Sequence, residues 1–309
     1  MSEAPLVYAI VTNWNGLEDT TECVESILAS SYENLAVVIV DNGSTDGCAE
    51  ILAERFPQVP QVRTGENAEV TAAYNSGLRH ALSHDADYLL MLNNDTTLHP
   101  EMVSHLVDTA QQNRQIGVLT PKIYYYDRPD LIWFAGARCH AWDFGAYDRG
   151  EGEKDGPDNS MAKETEYAWA CGMLFSRALL EKIGLFDTRF WLYYDDVDIC
   201  LRARKAGYLI WYVPEAKMWH KVGESTGSDR FARTWGRSKM LLYRKHATGL
   251  HRAALVGYAF GHSLYRQILP SPFSQKINNH YGAYLSGLWE GLGWQEPRTS
   301  GTESPTERG

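Results

Sequence analysis

Three short apolar runs in the first hundred residues constrain this chain more than any other feature. Residues 6–12, 35–40 and 88–92 are each rich in Val, Ile and Leu, and each gives way to polar residues at Asn13, Asp41 and Asn93. The segments between them repeat with helical period instead. Residues 17–30 put Leu17, Val24, Ile27 and Leu28 on one face. Residues 46–56 turn Ile51, Leu52 and Phe56 inward, and residues 68–82 align Val70, Ala73, Tyr74, Gly77, Leu78 and Ala81. Residues 61–63 read as a further short strand. Repeated strand–helix units of this kind predict an α/β fold, Rossmann-like, with a mainly parallel sheet and helices on both faces. In such sheets ligands bind outside the carboxyl ends of the strands.

Further along, Pro100 suits the first position of a helix over residues 101–112. The pattern then breaks into short strands and turns over residues 117–167, with a polar, mobile loop expected at 150–162. Helices are expected at 178–183 and 195–206, the second ending at Gly207. Residues 231–295 read as helical with Gly and Pro breaks, and the Ser/Thr/Glu/Gly-rich tail as disordered. The domain organisation predicted from this is a body over 1–229, a helical extension over 230–295 and a tail over 296–309. The five cysteines are scattered and contain no CxxC pair, which argues against a zinc site or a disulfide framework and favours reduced, cytoplasmic thiols. Residues 6–11 follow no basic segment, so they read as a first strand and not a signal peptide. No run of about 18 apolar residues is present, which argues against a spanning helix.

The net charge of -10 is unevenly placed. Residues 230–289 hold nine Lys or Arg and no Asp or Glu, leaving 20 basic against 39 acidic residues elsewhere. An acidic body of this kind argues against nucleic-acid binding.

Neither strand end carries GxGxxG or GxxxxGK, which disfavours a dinucleotide or P-loop fold. Thr12-Asn13-Trp14-Asn15 and Asp41-Asn42-Gly43-Ser44-Thr45-Asp46-Gly47 gather the acceptors and donors that a nucleotide base and ribose need. The same residues also suit a turn with a helix N-cap. A second concentration of polar groups follows five aromatic or apolar residues, where Asp195, Asp196 and Asp198 fall within four positions. Buried carboxylates are costly without a partner or a role.

Read together, Val40-Asp41-Asn42-Gly43-Ser44-Thr45-Asp46-Gly47, Asn67 with Asn75-Ser76-Gly77, Leu92-Asn93-Asn94-Asp95-Thr96, Cys171-Gly172-Met173, Ile183-Gly184-Leu185-Phe186-Asp187, Tyr194-Asp195-Asp196-Val197-Asp198 and Pro214-Glu215-Ala216 with His220 resemble the inverting glycosyltransferases of family 2, which have the GT-A fold. The resemblance covers roughly residues 5–245 and looks closest to the rhamnosyltransferase-like branch. It implies a GT-A body, with a nucleotide-binding half over 1–98 and an acceptor half over 99–229.

The resemblance also implies roles. Asp41 would accept from N3–H of uracil or thymine. Thr12, Asn13, Asn15, Asn42, Ser44, Asn67, Asn75, Asn93, Asn94, Trp169, Cys171 and Gly172 would complete the substrate-binding set. Asp95, the last acid of the DXD slot, would hold Mn²⁺ or Mg²⁺ on the donor diphosphate, since such ions prefer carboxylate oxygen. His220 matches a metal-ligating position, although a lone histidine is more often structural. Asp196 is the expected general base, with Asp195 raising the pair's affinity for a proton. Asp195 equally suits a helix cap, and Asp198 reads as structural, with Arg202 and Arg204 as its ion-pair partners.

Two departures stand out. Asn93 replaces the first acid of the DXD slot, and Glu69 lies where the family often has Gly. No Gln-x-x-Arg-Trp is present, which favours transfer of a single sugar. The partners implied are a nucleotide-sugar donor, UDP- or dTDP-linked, and a glycan or lipid-linked acceptor. A retaining transferase on the same scaffold, a non-catalytic nucleotide-sugar-binding protein and a nucleotidyltransferase are the rival readings. Residues 230–289 interleave bases with aromatic rings, which suits an anionic membrane surface at the inner face of the cell membrane. They suit equally well packing on the acidic body or on a second subunit.

Overall fold

The computed structural model describes residues 4–67, 69–140, 142–222, 228–268 and 280–293. The expected tail and part of the expected basic extension, including Phe273 and Lys276, lie outside them. The chain divides into two compact units, Met1–Gly227 and Ser228–Gly309.

The first unit begins β1 (Val7–Asn13), α1 (Leu17–Leu28), β2 (Leu35–Asp41), α2 (Cys48–Arg55), β3 (Gln61–Arg63), α3 (Val70–Ser83) and β4 (Tyr88–Asn93). β1 pairs in parallel with β2 on one side and β4 on the other, and β2 with β3. The strands are apolar on both faces because both faces are covered: Val7, Ala9, Ile10 and Val11 are fully buried. α3 lies against β1 and β2 at Gly77, where a Cβ would collide with methyl groups of Ile10 and Val40. Only a glycine admits the helix that close to the sheet. Two residues expected inward are not. Leu28 and Ile51 are 48% and 46% exposed, because each lies on the solvent side of its short helix.

The rest of the unit is β5 (Thr96–Leu98), α4 (Met102–Gln112), β6 (Ile116–Tyr125), β7 (Ile132–Phe134), β8 (Ala137–Cys139), β9 (Ala146–Asp148), a 3₁₀ turn (Pro157–Asn159), β10 (Lys163–Thr165), β11 (Gly172–Ser176), α5 (Arg177–Ile183), α6 (Asp195–Lys205) and β12 (Leu209–His220). Among the described residues the main sheet runs β10-β12-β6-β11-β4-β1-β2-β3, with β5 on β12 and β7 on β6. β8 and β9 form a separate ribbon.

β6 and β12, at 10 and 12 residues, are longer than the sequence pattern suggests. Each contains a proline, Pro121 and Pro214, which reads as a strand breaker. Their parallel pairing slips between Val213 and Lys217, so Pro214-Glu215-Ala216 is taken up as a bulge. Downstream of it, β12 turns antiparallel onto β5, placing His220 opposite Thr96.

The second unit contains α7 (Asp229–His246), α8 (Gly249–Ile268) and α9 (Tyr281–Gly293). α7 and α9 approach closely through Gly236, Gly287 and Gly291, where any Cβ would strike backbone of the facing helix.

Candidate active site

The parallel register brings three strand ends together, with Asn13 beside Asp41 and Thr12 beside Asn93. Thr12 is half-buried and Asn13 almost fully buried. The Asn13 amide donates to Asp41 Oδ1 at 3.0 Å and to Ser44 Oγ at 3.2 Å, and its oxygen accepts from Thr20 at 2.8 Å. Asn15, at a φ of 51°, ties the two loops: its N–H donates to Ser44 Oγ and its Oδ1 accepts from Thr45 N–H. Asn42 reaches Asn67 at 3.4 Å, and Gly43, at a φ of 73°, lies where a side chain would strike the Glu66 backbone. Thus Asn13, Asn15, Asp41, Asn42, Ser44 and Asn67 gather at one polar rim, with Thr12 one residue back on β1. Within it Asn13 is spent on organising its neighbours. Asp41, with one donor on each oxygen, keeps acceptor capacity.

Asn93-Asn94-Asp95 forms the turn from β4 to β5. Asn93 Oδ1 accepts from Tyr74 at 3.2 Å, and Asn94 donates to Thr20 at 3.0 Å. Asp95 faces His220 instead, with Oδ1 3.2 Å from Nε2. Asp95 Oδ1 is buried without a hydrogen-bond partner, as is His220 Nδ1, the ring nitrogen that does not face Asp95. Such orphans are rare in a folded chain and ask for an explanation. For Asp95 Oδ1 a divalent ion held with His220 Nε2 would supply one, since a carboxylate oxygen and an imidazole nitrogen suit such an ion. Among the described residues no group of three His, Cys, Asp or Glu side chains could hold an ion, so the remaining positions would fall to diphosphate oxygens and water. The donor set fits Mn²⁺ or Mg²⁺ carried in with a phosphorylated ligand.

The third feature is the start of α6. Two side chains of α3 hold the approach to it: Asn75 exchanges hydrogen bonds with both backbone groups of Phe186, at 2.8 and 2.9 Å, and Thr71 donates to Phe190 O at 2.8 Å. Asn75 is buried and gives one donor and one acceptor to this contact, which makes it a positioning residue for the turn. Tyr193 and Tyr194 then adopt φ values of 67° and 63°, a left-handed conformation costing about 1–2 kcal/mol per residue. The strained turn delivers Asp195 and Asp196 as the first two residues of α6, both buried.

Burial, and then the charge of Asp196, drives the Asp195 carboxyl well above its ordinary range. Burial pushes Asp196 up to about 6, against hydrogen bonds from the Tyr167 hydroxyl to Oδ2 and the Val197 N–H to Oδ1. Asp198, fully buried, pairs with Arg202 at 2.8 Å, and Arg202 also clamps the carbonyls of Ile183 and Leu185. Arg204 is not a partner of Asp198. It pairs at 2.9 Å with Glu166, being on another face of the helix.

An aromatic chain joins the last two features. Ring centroids lie 4.7 Å apart for His220 and Trp133, 5.3 Å for Trp133 and Trp169, and 5.3 Å for Trp169 and Tyr167, whose hydroxyl reaches Asp196. Trp169 Nε1 donates to Asp148 Oδ2 at 3.1 Å. Burial pushes Asp148 up to about 6 as well. Cys171 is buried, which drives its thiol well up, and the charges of Asp95, Asp196 and Asp148 act on it in the same direction, so it lies among the carboxylates of the site. Gly172, at the head of β11, is closely packed: a Cβ there would meet the Met218 sulfur at 2.6 Å. Trp133, Tyr167 and Asp148 escape a sequence reading because they fall where periodicity breaks down. The clustering of aromatic residues around Trp133 is the only local signal.

The model of the family described as "Glycosyl transferase family 2" matches residues 8–184. The chain is 28% identical over 228 residues to the N-acetylglucosaminyl-diphospho-decaprenol L-rhamnosyltransferase of Mycobacterium tuberculosis, covering 66% of this chain and 72% of that protein. It is 22% identical over 221 residues to the dTDP-rhamnosyl transferase RfbF of Shigella flexneri, covering 71% and 70%. In fold it matches the mannosyltransferase PcManGT of Pyrobaculum calidifontis, solved with GDP-Man and Mn²⁺, with a TM-score of 0.59 at 16% identity over 94% of this chain and 88% of that one. GalNAc-T7, solved with UDP, GalNAc and Mn²⁺, matches with a TM-score of 0.65 at 14% identity over 94% and 56%. The shared architecture is GT-A, here with a C-terminal helical extension.

The raised proton affinity of Asp196 has a consequence for stability. Between the ordinary value of 3.8 and about 6 the folded chain binds the proton more tightly than the unfolded chain. Stability from this group therefore falls as pH rises through that window and stays lower above it. Asp196→Asn removes the charge while its oxygen can still accept from Val197 N–H and its amide nitrogen can donate to the Tyr167 oxygen. Urea unfolding should find it about 1–3 kcal/mol more stable than wild type at pH 7, with the difference gone below about pH 4.

Proposed function

The chain belongs to glycosyl transferase family 2 and is a glycosyltransferase, and we propose that it moves one sugar, with inversion, from a UDP- or dTDP-sugar to a hydroxyl of a glycan or lipid-linked acceptor. One observation carries this reading: a buried carboxylate with raised proton affinity, Asp196, is joined through packed aromatic rings to an Asp95–His220 pair in which the buried Asp95 Oδ1 lacks a hydrogen-bond partner. The rhamnosyl donors and the lipid-diphosphate acceptor in the relatives' names support the same choice of substrates.

In the proposed division of labour, residues 1–98 hold the donor. Asp41 accepts from the base N3–H, which uracil and thymine share, so it selects neither over the other. Asn42, Ser44 and Asn67 surround the ribose. Asp95 and His220 hold the divalent ion, which when bound offsets the charge building on the leaving diphosphate. Residues 99–229 present the acceptor. Asp196 takes the proton of the acceptor hydroxyl as its oxygen bonds to the anomeric carbon and the bond from that carbon to the diphosphate breaks. Direct displacement needs no covalent enzyme intermediate.

Two substitutions test the assignment. Asp196→Asn should lower transfer by about 10²–10⁴-fold while the melting shift produced by nucleotide and Mn²⁺ stays near wild type. Asp95→Ala should abolish that metal-dependent shift, and His220→Ala should weaken it less. Wild-type turnover by Asp196→Asn, or an unchanged metal requirement in both ligand variants, would contradict these roles.

The helical unit supports a further element of the proposal, a surface that meets an anionic bilayer peripherally while a lipid-linked acceptor is used. Leu250, Leu264, Tyr265 and Trp289 are 89%, 54%, 58% and 65% exposed, in a segment whose charges over residues 230–289 are all basic. Basic groups near such a surface contribute about 1 kcal/mol each. Among the described residues no helix is long and apolar enough to cross a membrane. Sedimentation with vesicles should rise with the fraction of anionic lipid and fall about tenfold for the Leu264→Ser, Trp289→Ser double variant. Absent binding, or equal binding by both proteins, would remove this element.

A further inference from the structure

Asp148 ends the β9 strand with its two oxygens in unlike surroundings. Oδ2 accepts the Trp169 indole N–H at 3.1 Å, while Oδ1 is buried with no hydrogen-bond partner. A carboxylate oxygen hidden from water and left without a donor is a standing cost, of the kind that a bound ligand removes. The surroundings indicate which ligand. Trp133 and Trp169 are both partly exposed, and their rings adjoin at 5.3 Å. At one end of this shelf Trp133 meets His220, and at the other Trp169 meets Tyr167, which holds Asp196. An apolar shelf between the proposed metal pair and the proposed base, with one unsatisfied acceptor beside it, matches a molecule with an apolar face and hydroxyl donors at its edge.

We propose that Trp133, Trp169 and Asp148 form the subsite for a pyranose ring of the acceptor, whose C–H face packs on the indoles while a ring hydroxyl donates to Asp148 Oδ1. A charged acceptor gives that hydrogen bond roughly twice the strength of a neutral one, and a site built to bind a hydroxyl discriminates strongly against a sugar lacking it. Asp148 is thus a specificity-determining residue: it selects an acceptor with a hydroxyl at one ring position, and Trp133 selects the ring face. The subsite rests on the transferase reading for its place in a reaction, but its binding chemistry does not. Nor does it involve the titration of Asp148, since either oxygen accepts from a hydroxyl in the charged form.

Saturation-transfer NMR with methyl glycosides of glucose, galactose, N-acetylglucosamine and rhamnose tests it on the full chain, without donor or metal. Wild-type protein should transfer saturation to the protons of one face of at least one of these rings. Trp133→Leu should abolish that transfer, and the isosteric Asp148→Asn should weaken binding at least about fivefold, the loss expected when a charge-assisted hydrogen bond becomes a neutral one. Nucleotide binding without metal should be unchanged in both variants. If no glycoside binds the wild type, or if both variants bind as it does, the subsite is wrong. If Trp133→Leu misfolds, Asp148→Asn alone decides, because it keeps the shape of the side chain. Sugar binding that survives in a protein with no transfer activity would overturn the transferase role instead, so the two failures are distinguishable.

Discussion

A desolvated carboxylate pair at the start of one helix is the constraint on which the rest of the catalytic face depends. Two adjacent acids out of water are unfavourable, and a helix N-terminus offsets only part of that. The fold meets the remainder through contacts that immobilise the turn. Asn75 and Thr71 of α3 fix the backbone at Phe186 and Phe190. Arg202 ties the first turns of α6 to the loop after α5. Between these anchors Tyr193 and Tyr194 are held in the left-handed region, where bulky residues rarely rest. Strained backbone of this kind clusters at functional sites.

The second half of the site follows from an irregularity in a strand. After the slip at Pro214-Glu215-Ala216 the end of β12 stays paired with β6 and takes β5 as a second neighbour, which sets His220 beside Asp95. The pair and the acids of α6 are far apart in sequence, yet a contiguous row of aromatic rings connects them.

The sequence is uneven in what it discloses. The alternation of Val/Ile runs with helical segments identifies β1 to β4 and α1 to α3 because each element is specified by its own residues. Their boundaries shift by one or two positions, as capping and fraying allow. β6 and β12 are hidden, since a proline inside each argues against a strand and only their mutual pairing overrides it. At the site, Asp41 and the polar residues around it are legible as strand-end residues. Asn75, Cys171 and Gly172 match a family pattern; Asn75 braces the backbone of Phe186, Gly172 packs on Met218 and Cys171 is buried near Asp95 and Asp196. Trp133, Tyr167 and Asp148 carry no local pattern, because their meaning lies in neighbours brought from other strands. Arg204 faces away from Asp198 since its partner, Glu166, comes from a segment whose place the sequence does not disclose.

The central claim is that Asp196 acts as the base and that burial, opposed by the Tyr167 hydroxyl, sets its proton affinity. The pH dependence of kcat/KM for the acceptor, measured in wild type and Tyr167→Phe, tests this most directly. A base must be unprotonated, so the rate should rise with pH through about 6 in the wild type and then level off. Loss of the hydroxyl removes a donor to the charged form, so the rising limb of Tyr167→Phe should move to higher pH. A rate independent of pH across about 5 to 8, or a limb that does not move in the variant, would contradict the account.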